Sequence, residues 1–125
     1  MTVKRSILIV DDQKGVRRLL EELFKREGWE VCAASDGVEA ISQLDHYQPD
    51  VLLIDMKMPN MNGLEASQII LKKHQDLPII MMTAYGEMEV VKQALDAGVR
   101  RCITKPFDII ALRDIVLQIV MEKVS

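Results

Sequence analysis

No run of lysine and arginine occurs in this chain of 125 residues, and its 16 basic side chains are outnumbered by 19 acidic ones, for a formal charge of −3. The electrostatic footprint of a nucleic-acid surface is missing, so no nucleic-acid partner is expected. No apolar run approaches the roughly 18 residues of a membrane span. Between Lys4-Arg5 and the acids that follow lie only Ser6 to Val10, too short an apolar segment for a secretory leader. These absences predict a cytoplasmic protein that engages no membrane. Repeats at solenoid spacing, low-complexity stretches and linkers are lacking as well. Length and a hydrophobic content of 49% suit one domain over residues 1–125 with no output domain.

Cysteine is scarce: Cys32 and Cys102 are the two in the chain, each inside a short predicted strand. On opposite edges of a five-stranded sheet they would stand about 19 Å apart at about 4.8 Å per strand. That is far beyond disulfide reach. They are read as small buried apolar residues.

What the chain does contain is a set of apolar runs that end in polar residues. Val51-Leu52-Leu53-Ile54 runs into Asp55, and Pro59 prevents the strand from continuing far. Four apolar residues without alternation are what a central parallel strand covered on both faces requires. Ile7-Leu8-Ile9-Val10 likewise meets Asp11-Asp12, Ile79-Ile80-Met81-Met82 meets Thr83, and Cys102-Ile103-Thr104 meets Lys105. Alone, Asp11 or Asp12 would be read as a helix cap, Thr83 as an ordinary strand end and Lys105 as a solvated loop residue. Their joint position carries the inference: in a parallel sheet all these ends face one way, toward the edge where ligands collect.

Helical periodicity fills the intervals. Val16, Leu19, Leu20, Leu23 and Phe24 recur at steps of three and four, stopped by Gly28 in the position where left-handed residues end helices. Trp29 to Ala33 then reads as an edge strand. Asp36 is placed to cap a second helix with Val38, Ile41 and Leu44 on its inner face, ending near His46. Leu64, Ser67, Ile70 and Leu71 mark a third helix, and Val90, Val91, Ala94 and Leu95 a fourth, stopped by Gly98. Asp108 precedes a fifth with Leu112, Ile115, Val116, Ile119 and Val120 inward. Strict alternation with short loops predicts an α/β fold: a doubly wound, five-stranded parallel sheet with right-handed crossovers and five helices. His46 and His74 fall at helix ends, as surface or dipole partners rather than catalysts.

Carboxylates converging at one sheet edge repel one another unless a cation joins them. Oxygen ligands without histidine or cysteine favour a hard ion, Mg2+ above all, and disfavour zinc. A lysine and a threonine hydroxyl beside them suit the oxygens of a phosphoryl group. Asp55, in the middle, can act as nucleophile toward phosphorus and form an aspartyl phosphate.

The whole pattern resembles the receiver domain of two-component response regulators. The acid pair Asp11-Asp12, Asp55 followed by Met58-Pro59 and Asn62-Gly63, Thr83-Ala84 and Lys105-Pro106-Phe107 match in kind, order and spacing from Ile7 to the last helix. The resemblance implies the flavodoxin-like strand order 2-1-3-4-5. It implies that Asp55 accepts phosphate from the phosphohistidine of a sensor histidine kinase, and that Lys105 and Thr83 bind phosphoryl oxygens. Mg2+, for which Mn2+ or Ca2+ can substitute, would be held by Asp12, Asp55 and the main-chain carbonyl of Lys57, with Asp11 acting mainly through water. Tyr85 would be the aromatic switch that follows Thr83, and the Lys105-Pro106 peptide a candidate for the cis form. Such a domain catalyses its own phosphorylation and slow autodephosphorylation without being a conventional multiple-turnover enzyme.

Among single-domain members, Asp11-Asp12-Gln13, Asp55 to Pro59 and Thr83 to Glu87 look most like the phosphorelay intermediates of sporulating bacteria. That likeness implies a histidine phosphotransferase as recipient, and an aspartyl-phosphate phosphatase as a further partner. A partner histidine must reach Asp55, so the docking surface is expected at Gln13, Gly15, Val16, Leu19, Lys57, Tyr85, Pro106, Phe107 and Ile109. Leu19 could equally belong to the core. Lys57, two residues past Asp55, is a candidate shield against in-line water. The alternative within the fold is a chemotaxis-type stand-alone receiver whose phosphorylation switches binding to a target. A phosphohydrolase with an aspartyl phosphate would usually carry an acid where Lys57 stands, and a metal-binding module would do no phosphoryl chemistry.

Overall fold

The computed structural model describes residues 4–124. Five strands alternate with five helices: β1 Ser6–Val10, α1 Lys14–Arg26, β2 Glu30–Ala34, α2 Gly37–Leu44, β3 Val51–Asp55, α3 Gly63–Lys73, β4 Ile79–Ala84, α4 Met88–Ala97, β5 Arg101–Lys105 and α5 Ile109–Val124. All strand pairings are parallel, in the order β2-β1-β3-β4-β5. The doubly wound sheet expected from the alternation is the fold observed.

The uninterrupted apolar runs have a simple cause: both faces of the central strands are covered. Leu8, Val10, Leu52, Ile54, Ile79 and Met81 point into one layer, with Ala40 and Leu44 of α2, Ala66 and Ile70 of α3 and Ala94 of α4. Ile7, Ile9, Val51, Leu53, Ile80 and Met82 point the other way, against Leu20 and Phe24 of α1 and Leu112, Val116, Ile119 and Val120 of α5. Burying each such side chain is worth about 1.5–3 kcal/mol, so these alternating strand residues supply much of the driving force.

Helix ends follow the local chemistry. Gly28, at φ 86°, and Gly98, at φ 111°, take the left-handed conformation after α1 and α4. The Asp36 carboxylate accepts the Glu39 N–H at 2.8 Å and caps α2. Asn62 and Glu65 form a reciprocal capping box at α3. Asp108 accepts the Ile110 N–H at 2.8 Å where α5 begins.

Three expectations are corrected. Val38 is 53% exposed and Leu95 48% exposed, so neither faces inward. The inner face of α2 is instead Gly37, Ala40 and Leu44, because α2 and α3 pack closely: a Cβ at Gly37 would lie 3.0 Å from that of Ala66. Cys32 and Cys102 are free thiols on the two edge strands, as the spacing required, but half-buried rather than fully buried.

Candidate functional site

The sheet changes winding direction between β1 and β3, and their carboxyl ends open a crevice there, as doubly wound sheets do. Asp11 follows β1 directly, Asp55 is the last residue of β3, and Lys105 the last of β5. One carboxylate oxygen from each of Asp11, Asp12 and Asp55 can be chosen so that all three lie within 4.8 Å of one another. The Lys105 ammonium stands 3.2 Å from Asp55 Oδ1 and 3.2 Å from Asp11 Oδ2. The crevice, about 310 Å³, is lined by Asp12, Gln13, Asp55, Met56, Lys57, Met82, Ala84, Glu87 and Lys105.

Each acid is held differently. Asp11 is fully buried; its Oδ1 accepts the Gln13 N–H at 2.9 Å, and Arg17 Nη1 donates to its carbonyl at 2.7 Å. Asp55 is 6% exposed. Asp12 is exposed at the rim. Burial first, then the charge of Asp11, pushes the Asp55 carboxyl above the usual carboxylate range, against the opposing pull of Lys105. Burial works against the Lys105 ammonium, but the neighbouring Asp55 and Asp11 charges outweigh it and raise its pKa. Three carboxylates against one ammonium leave a negative excess that a divalent cation can balance, and the donor set is oxygen throughout.

The Thr83 hydroxyl, on β4 beside Asp55, is buried and has no hydrogen-bond partner among the described residues. Tyr85, two residues on, is 91% exposed. The Lys105-Pro106 peptide is cis. Of the nominated docking residues, Gln13, Gly15, Lys57 and Pro106 are exposed and Val16, Phe107 and Ile109 half-buried. Leu19, at 50% exposure, faces outward and not into the core.

Some residues escape a reading of sequence. Arg17 ties the end of β1 to α1 through a carbonyl, which no side-chain pattern announces. Gly63 lies against the backbone of the Asp55-Met56 peptide: its N–H donates to the Met56 carbonyl at 2.8 Å, and a Cβ there would come within 2.9 Å of Met56 Cα. Glu87 reaches back to the N–H of Ala84 at 2.8 Å. Gly63 had a visible signal in its Asn-Gly loop; Glu87 had only an acid four residues past Thr83.

Residues 7–117 match the family model described as the response regulator receiver domain. The chain belongs to this family. As a receiver domain of two-component systems it implies a phosphodonor, such as a histidine kinase or a phosphotransferase. It is similar to sporulation initiation phosphotransferase F of Bacillus subtilis, 39% identical over 114 residues that cover 91% of this chain and 92% of that one. It is also similar to chemotaxis protein CheY of Thermotoga maritima, 36% identical over 104 residues, 82% of this chain and 87% of the other. Among solved structures, a CheY-like receiver domain protein from Methanospirillum hungatei superposes with a TM-score of 0.93 at 27% identity, covering 97% of each chain. No helix among the described residues is long and apolar enough to cross a membrane.

Proposed function

We propose that this receiver domain accepts a phosphoryl group from the phosphohistidine of a sensor histidine kinase onto Asp55 and passes it to a histidine phosphotransferase, as an intermediate in a phosphorelay that controls sporulation. The observation that carries the first half is the Lys105 ammonium, 3.2 Å from the Asp55 carboxylate in the acidic crevice. Transfer forms a bond from an Asp55 oxygen to phosphorus while the bond from phosphorus to the donor nitrogen breaks, its electron pair staying on the imidazole. Lys105 stabilises the charge on the phosphoryl oxygens, and the unpartnered Thr83 hydroxyl is available to donate to one of them. As Thr83 turns toward the phosphoryl group, Tyr85 swings inward from its exposed position.

Asp12, Asp55 and the main-chain carbonyl of Lys57 would hold Mg2+, with Asp11 acting through water; Mn2+ or Ca2+ can substitute. The ion supplies charge neutralisation for the transferring oxygens. Lys57, exposed at the lip of the crevice, shields the phosphoryl group from in-line water. The second half of the proposal draws support from the similarity to sporulation initiation phosphotransferase F along nearly the whole of both chains. Gln13 and Lys57, which line the crevice, together with exposed Gly15, Leu19, Tyr85 and Pro106 and the half-buried Val16, Phe107 and Ile109, would form the docking surface. An aspartyl-phosphate phosphatase would use the same face.

A chemotaxis-type receiver, whose phosphorylation switches binding to a target, is the second reading, favoured by the similarity to CheY and by the 91% exposure of Tyr85. Radiolabelled phosphate followed from a phosphorylated kinase domain, through this protein, to a purified histidine phosphotransferase domain separates the two. Label arriving on the phosphotransferase supports the relay. Label that stops on Asp55, with a new target bound, supports the switch.

A further inference from the structure

Glu87 stands at the start of α4 yet its side chain makes no cap for that helix. Its Oε1 instead accepts the Ala84 N–H at 2.8 Å, while the Glu87 N–H donates to the Ala84 carbonyl at 3.3 Å. The two bonds close a loop that contains Tyr85. Both Ala84 and Glu87 line the crevice with Asp55, Lys57 and Lys105. Asp55 pairs in register with Met82 and Lys105 with Ala84, so the Ala84 N–H lies two residues beyond Asp55 along β4, about 7 Å farther toward the open edge. Asp55 ends its strand at the mouth of this crevice, so a group bonded to its carboxylate has room toward Ala84, beside the ammonium that already contacts Asp55.

A carboxylate oxygen and a phosphoryl oxygen make the same charge-assisted bond to a main-chain N–H, and one N–H at 2.8 Å from its acceptor cannot serve both well. Two such anions in one crevice also repel. We infer that the Glu87 carboxylate is a built-in competitor for the phosphoryl group, holding the Ala84 N–H that a phosphoryl oxygen on Asp55 would take, and so retards phosphorylation until it is displaced. Displacement opens the loop that contains Tyr85, which couples the arrival of phosphate to the movement of that exposed ring. Glu87 is thus a positioning residue, acting through Ala84. The inference rests on Asp55 being the phosphoacceptor.

The test follows labelling by acetyl phosphate in Mg2+ for the wild type, Glu87→Gln and Glu87→Ala, with thermal melts to verify folding. In this reaction an Asp55 oxygen bonds to phosphorus as the bond from phosphorus to the acetyl oxygen breaks, and acetate leaves with the electron pair. Glu87→Ala should label about tenfold faster, the size of one charge-assisted hydrogen bond, and Glu87→Gln should fall between it and the wild type. In parallel, the Ala84 amide resonance is titrated with beryllofluoride, a phosphoryl analogue, and should reach half-saturation at lower concentration in both variants. If Glu87 only braces the loop, glutamine, which keeps an acceptor oxygen, matches the wild type and alanine labels no faster; that result overturns the inference. A wild type that takes no label overturns the phosphoacceptor assignment itself, and the inference with it.

Discussion

Replacing Asp55 by asparagine should stabilise the metal-free protein, although it removes the residue on which the proposed chemistry depends. With carboxylate oxygens of Asp11, Asp12 and Asp55 within 4.8 Å of one another, each repulsion on Asp55 is about 3.5 kcal/mol at an effective dielectric of about 20. Lys105, at 3.2 Å, offsets about 5 kcal/mol. The balance is a net cost of about 2 kcal/mol, reduced by solvent screening at exposed Asp12 and increased by desolvation of the Asp55 carboxylate. Asparagine keeps the shape and leaves Lys105 paired with Asp11. Urea unfolding in chelator should therefore show a higher midpoint at unchanged slope, equivalent to about 1–2 kcal/mol.

The pH dependence has a definite sign. Burial and then Asp11 raise the Asp55 carboxyl in the folded protein, so the folded chain holds this proton more tightly than the unfolded chain, where the pKa is about 3.9. Wild-type stability must then fall as pH rises from the unfolded value through the raised folded one. The asparagine variant lacks this term, so its advantage should be full at neutral pH and shrink on acidification. Mg2+ at about 100 times its dissociation constant should add about 2.7 kcal/mol to the wild type and less to the variant. An asparagine variant less stable than the wild type in chelator, or an advantage that grows toward acid pH, would refute the electrostatic reasoning.

Gly63→Ala should cost about 1–3 kcal/mol in the same urea assay, because a methyl group has no room against the backbone of Asp55 and Met56; an unchanged midpoint would mean the loop relaxes freely. Asp36→Ala should cost about 1 kcal/mol through loss of the α2 cap, and a cost well below that would show the cap to be redundant. Leu19→Ala should leave stability within about 0.5 kcal/mol, since half the side chain is exposed. The same variant should slow phosphate transfer to a phosphotransferase domain. A variant that unfolds early while transferring normally would return Leu19 to the core.

The strands and the acidic end of the sheet were legible because burial on both faces forces unbroken apolar runs, and Asp11, Asp55 and Lys105 interrupt those runs where the sheet ends. Helix faces were less legible. Val38 fits the helical period yet points outward, since α2 and α3 approach through the small residues Gly37 and Ala66, which an apolar-residue pattern passes over; on α4 it is the small Ala94, not its neighbour Leu95, that is buried. Contacts through the main chain left the faintest trace. The Arg17 bond to the Asp11 carbonyl, the seat of Gly63 behind Asp55 and the Glu87 bond to the Ala84 N–H depend on where loops turn back, and side-chain character along a chain does not encode that directly.

Intact mass after incubation with acetyl phosphate, with and without Mg2+, tests the assignment of Asp55 most directly. The wild type should gain the mass of one phosphoryl group in Mg2+ and none in chelator, and Asp55→Asn should gain none in either. Equal incorporation in the asparagine variant, or incorporation indifferent to the metal, would contradict it.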